Sequence, residues 1–176
     1  MRIAFHSRLR AGIRNKRILP AGESGALMAE MTTKQRALKM LDRRDYARAE
    51  LQKKLVEKGE PPEAAAEAVE RLAELGFVDD ARYAALVVRQ YAGKGYGAKR
   101  VRMELQRRGV PRELWDEALT QMPDQSDRLD CLLRQKLGGD FDRASIKKAT
   151  DALARRGYAW DAISAALERL RNEELE

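Results

Sequence analysis

From Thr32 to the end of the chain, apolar residues return every three or four positions, with glycines and prolines marking off stretches of ten to fifteen residues. That spacing places side chains on one face of a helix, whereas a strand would need alternation. Thr32 with Gln35 has the spacing of a capping box for a helix carrying Leu38 and Leu41. Asp45 is placed to cap a second, with Leu51 and Leu55, that stops at Gly59. Pro61 and Pro62 suit the first turn of a third, with Val69, Leu72 and Leu75, stopped by Gly76. Val78 precedes an Asp79 cap and has the spacing to staple onto Tyr83 in a fourth helix, which puts Tyr83, Leu86, Val87 and Tyr91 on one face. Only Leu86–Val88 is locally strand-like, and its flanks are helical.

The helices repeat. LVEKG (55–59), LQRRG (105–109) and LARRG (153–157) each place Leu four residues before a glycine, with Leu51, Val101 and Ala149 one turn earlier. Ala68–Val69, Ala118–Leu119 and Ala166–Leu167 follow nine and ten residues after those glycines. A unit of helix, helix, glycine stop, helix buries little alone, so neighbouring units must pack side by side. The expected fold is all-α, with about nine helices from residue 33, in three tandem three-helix repeats in an elongated or curved arrangement. The repeats are placed at 32–77, 78–122 and 123–176. Leu51, Leu55, Leu72, Val87, Val101, Leu105, Leu119 and Leu153 are the expected core.

One segment competes with this reading. GKGYGAKR (93–100) matches G-x-G-x-x-G/A, and Glu113 or Asp116 follows at the distance that the dinucleotide-binding fingerprint asks. The fingerprint needs a strand before the loop, and 80–92 has helical spacing. The segment is therefore expected to join two helices, with Gly95 and Gly97 supplying positive φ, and to hold no nucleotide cofactor.

Composition narrows the chemistry. The chain of 176 residues has 44% apolar and 36% charged residues, with one histidine, His6, and one cysteine, Cys131. His/Cys zinc sites, Cys–His dyads and Ser–His–Asp triads lack their parts, so no enzyme and no metal is expected. No apolar run is long enough to span a membrane, no secretory signal is visible, and a single cysteine suits a reducing, cytoplasmic setting. Residues 1–31 hold six basic side chains against two acids and four helix breakers, and are expected to form a basic, flexible arm. Met28 and Met31 would also serve as alternative starts, and the arginine content faintly suits an organellar leader.

GFVDDARYA (76–84), GAKRVRMELQRRGV (97–110), YARAELQKKL (46–55) and, more weakly, ALARRGYAWDAISAAL (152–167) together resemble the RecX family of regulatory proteins over about 34–170. The resemblance implies tandem three-helix repeats and binding to the RecA recombinase filament on single-stranded DNA, and the chain is expected to be a monomer. It further implies damping of ATP hydrolysis and strand exchange, without catalytic residues. By position it points to Asp79, Asp80 and Tyr83 at the corner between repeats and to the basic helix of the second repeat.

Those positions also have structural roles open to them. Asp79 and Asp80 are a helix cap and a first-turn acid, and Tyr83 suits a core. The basic stretch is harder to explain structurally. Residues 89–112 carry Arg89, Lys94, Lys99, Arg100, Arg102, Arg107, Arg108 and Arg112 against Glu104 alone, a net of +7, whereas 60–80 carry a net of −6. With a sequence pI of 9.7, the segregation favours a polyanionic partner, and Tyr96 beside it could stack on a base. The competing function is direct DNA binding without a recombinase, because a three-helix unit with a basic helix also describes helix-turn-helix proteins.

Overall fold

The computed structural model describes residues 31–174, so the expected N-terminal arm lies, but for Met31, outside the described residues. Within them the chain is all-helical. Three helices come first, α1 (Thr33–Leu41), α2 (Arg48–Glu57) and α3 (Pro62–Glu74). Next are α4 (Asp80–Gly93), α5 (Ala98–Arg107) and, after a 3-10 turn at Arg112–Leu114, α6 (Trp115–Thr120). The last three are α7 (Ser126–Leu137), α8 (Arg143–Arg155) and α9 (Trp160–Glu174). No strand occurs among the described residues.

Three hydrophobic clusters follow the triplets. Leu51, Leu55, Val69 and Leu72 centre the first, Val87, Val88, Val101 and Leu105 the second, and Leu133, Leu153 and Ile163 the third. Seven of the eight residues expected in the core are buried; Leu119 is only partly so, because α6 turns the smaller Ala118 inward. In α1 the buried residues are Ala37 and Met40, with Leu38 and Leu41 at the margin.

Several local expectations shift at the boundaries between triplets. Val78 packs in the first cluster and Tyr83 in the second, so the pair divides between two cores instead of stapling one helix. Asp45 does not cap α2, whose N-cap is Ala47, with no side-chain hydrogen bond of its own. The α2 end is closed from the next triplet instead, where Asp80 Oδ1 accepts from the Arg48 N–H at 2.8 Å.

The same device recurs fifty residues on. Gly97 caps α5 without a side chain, and the Gly97 and Lys99 N–H groups donate to the carbonyls of Arg156 (3.0 Å) and Gly157 (3.1 Å). Donors left free at each helix start are thus satisfied by the following triplet. The glycine after helix two of that triplet sits on the same turn: a Cβ at Gly109 would meet Ala49 Cβ at 3.1 Å, and one at Gly157 would meet Arg100 Cβ at 2.7 Å. The series stops at α8, which is capped internally by Asp142 accepting from the Ser145 N–H.

GKGYG is therefore a joint between triplets as well as between helices. Gly95 has the expected positive φ of 74°, but Gly97 does not. Its φ is −77°, and it is needed for space, since a Cβ would lie 2.5 Å from the Tyr158 nitrogen.

Candidate functional site

At the corner between the first two triplets, the three residues picked out by sequence each have a partner. Asp79 Oδ1 accepts from the Arg82 N–H at 3.0 Å, the expected cap. Asp80 reaches across to α2 as described. Tyr83 is buried, and its hydroxyl accepts from Arg108 Nη1 at 2.6 Å and from Arg44 Nη1 at 3.3 Å and donates to Glu50 Oε2 at 3.3 Å. Burial pushes its pKa up while the Arg108 hydrogen bond pulls it down. Arg44 in turn pairs with Glu50 at 2.7 Å and lies 3.6 Å over the Tyr46 ring. Tyr83 is thus both core and bridge.

The nine residues of the basic stretch divide by their partners. Glu104, only 5% exposed, accepts from Arg107 Nε and Nη2 at 3.0 and 2.5 Å and from Arg108 Nε at 2.6 Å. The Arg107 hydrogen bonds, with those of Arg108 and Tyr91, hold its carboxyl down to about 2 against the pull of burial. Arg108, with a 19% exposed side chain, belongs to the tyrosine network. Arg102 faces Asp116 at 3.7 Å, both exposed. These three arginines are paired with acids within the fold.

The others are not. Arg89, Lys94, Lys99, Arg100 and Arg112 are exposed and form no ion pair among the described residues. Tyr96 is half-buried, 5.5 Å from the Tyr91 ring, with Arg100 at 5.9 Å and Arg156 at 5.5 Å from its centroid. Lys94 lies 5.2 Å from Tyr91.

Packing also brings in residues that sequence reasoning passed over. Arg128 and Arg156 approach Gly95, and Arg155 shares a groove of about 400 Å³ with Lys99 and Arg100. The signal was present: LARRG repeats the arginine pair of LQRRG. In the second triplet that pair meets Glu104, whereas the matching position in α8 is Ala152, so the third-triplet pair keeps its charge.

A family model for the second three-helix domain of RecX matches residues 79–119, and one for the first three-helix domain matches 34–72. The regulatory protein RecX of Xanthomonas axonopodis pv. citri (strain 306) is 42% identical over 150 residues, covering 84% of this chain and 93% of that protein. The chain belongs to the RecX family. The RecX of Stenotrophomonas maltophilia (strain R551-3) is likewise 42% identical, over 78% of this chain and 86% of its own. The crystal structure of RecX from Lactobacillus salivarius superposes with a TM-score of 0.72 at 22% identity, covering 79% of this chain and 94% of the other, and shows a shared fold. RecX relatives are named as regulatory proteins, so membership gives this chain a regulatory role. No helix among the described residues is long and apolar enough to cross a membrane, and no cluster of His, Cys, Asp or Glu there could hold a metal.

Proposed function

We propose that this protein regulates DNA recombination and repair by binding the RecA–single-stranded-DNA filament as a monomer in the cytoplasm, without a cofactor, and suppressing recombinase ATPase and strand exchange. The repeats at 32–77, 78–122 and 123–176 would act as successive contact units, with 1–31 as an accessory arm. The reading rests on RecX membership, and one observation carries its contact surface: Arg89, Lys94, Lys99, Arg100 and Arg112 keep their charge in a fold that pairs many of its other arginines with acids. A filament of nucleic acid and protein is anionic and offers such groups partners.

The test is recombinase ATPase on single-stranded DNA with increasing amounts of this protein. Reversing Arg89, Lys99 and Arg100 to Glu shifts local charge by six without touching an ion pair, so melting should stay near wild type. The concentration for half-inhibition should rise at least tenfold. Unchanged inhibition by a folded triple variant would remove this surface, and no inhibition by the wild-type chain would remove the function.

A further inference from the structure

Around the joint between the second and third triplets, cationic groups converge with little acid to neutralise them. Lys99 and Arg100 open α5, and Arg155 closes α8; all three line the 400 Å³ groove, where Asp151 is the sole acidic residue. Arg100 and Arg156 are both held near the Tyr96 ring, and Arg128 and Arg156 lie beside Gly95. None of these five forms an ion pair among the described residues, unlike Arg36, Arg44, Arg107, Arg108 and Arg169. A guanidinium positioned by an aromatic ring keeps its N–H edge for an anion, and its planar fork matches phosphate oxygens. Three residues beyond Gly157, which lines the groove, Trp160 is 67% exposed, the most exposed large apolar side chain among the described residues. An indole in water three residues along the chain from a cationic groove's lining offers a base a stacking face, which an acidic protein surface would not require.

We infer that the joint between the second and third triplets is a direct single-stranded nucleic-acid site: Lys99, Arg100 and Arg155 take the phosphates, Tyr96 orients Arg100, and Trp160 stacks a base. The site deepens the proposed function by giving the protein its own hold on the strand, and it extends the contact surface into the third triplet.

The experiment titrates fluorescein-labelled oligo(dT), and an abasic strand of equal length, into the full chain across a salt series without recombinase. Each phosphate contact contributes about 0.7 to the slope of log affinity on log salt for single strands. The double variant Arg100→Gln/Arg155→Gln should therefore lower the slope by about 1.4. Arg43→Gln/Arg82→Gln, equal in charge but on exposed, unpaired arginines elsewhere, should leave it unchanged. Trp160→Leu should weaken oligo(dT) about 5- to 150-fold, the range for one stacked base, and leave the abasic strand unaffected. Circular dichroism and melting check that each variant folds. The inference is overturned if wild-type protein does not bind oligo(dT) at low salt, if both double variants lower the slope alike, or if Trp160→Leu weakens both strands equally. A chain that suppresses recombinase ATPase through this joint but binds no oligonucleotide meets acidic protein instead, which sinks the inference and keeps the proposed function. Oligonucleotide binding as described with no effect on recombinase sinks the function and keeps the site.

Discussion

Glu104 shows how one carboxylate decides which arginines are free. It is buried between Arg107, Arg108 and Tyr91, and its pKa near 2 lies below the ordinary 4.5. A depressed acid contributes stability that is fully present above its unfolded value and lost as pH falls through the folded one. The wild-type protein should therefore lose stability between about pH 4.5 and pH 2, and Glu104→Gln should flatten that segment of a urea-midpoint-versus-pH curve. At neutral pH the same variant should cost about 2 kcal/mol in urea unfolding, because Arg108 is left short of an acceptor. Arg107, although 69% exposed, is tied to this group. Arg107→Glu should destabilise by bringing two carboxylates together, so loss of function on reversing it would not identify a contact. A melting temperature equal to wild type for that variant would contradict this account.

At the level of helices, the joints make glycine substitutions separable by position. Gly97→Ala places a methyl against the Gly157–Tyr158 backbone, which cannot step aside as a flexible side chain could. The joint must open, at a cost of about 2–4 kcal/mol on the scale of overpacking and lost hydrogen bonds. Gly59→Ala meets nothing within 4 Å and is opposed only by its φ of 93°, for about 1 kcal/mol. Gly93→Ala, at the end of α4 in open space with an ordinary φ, should be neutral or stabilising by up to about 1 kcal/mol. Chemical denaturation of the three variants checks the order. A Gly97→Ala protein as stable as Gly93→Ala would mean that the joint is looser than its geometry.

Across the whole molecule, charge is segregated along the chain. Residues 60–80 carry a net of −6, and α3 displays Glu63, Glu67, Glu70 and Glu74 to solvent, whereas 89–112 carry a net of +7. A protein with that asymmetry should be oriented by an anionic filament, so its apparent affinity should fall steeply with salt. Half-inhibition of recombinase ATPase measured at 50 and 200 mM salt, for example, should shift by more than tenfold if several phosphate contacts are made. An inhibition constant independent of salt would assign the contact to apolar surface. Deletion of residues 1–31 should change these values little, since the RecX family models match from residue 34 onward.

The helices, their glycine stops and their inward faces were legible because helical period and turn chemistry are local: Leu51, Leu55, Val101, Leu105 and Leu153 could be placed from their spacing to Gly59, Gly109 and Gly157. The same repeat distances showed the three units, and a run of like charge marked where positive charge concentrates. What lay beyond the sequence depends on residues far apart in the chain. Asp80 could not be assigned to the start of α2, nor Gly97 to the backbone of Tyr158, until the triplets were docked, because a hydrogen bond or a steric limit between units has no signature in local spacing. The arginines divided partly for the same reason. The spacing of Arg107 and Arg108 from Glu104, three and four residues along the chain, is a local signal of pairing. Only packing buries that carboxylate and leaves Arg100 with Arg155 and Arg156 at a joint short of acids.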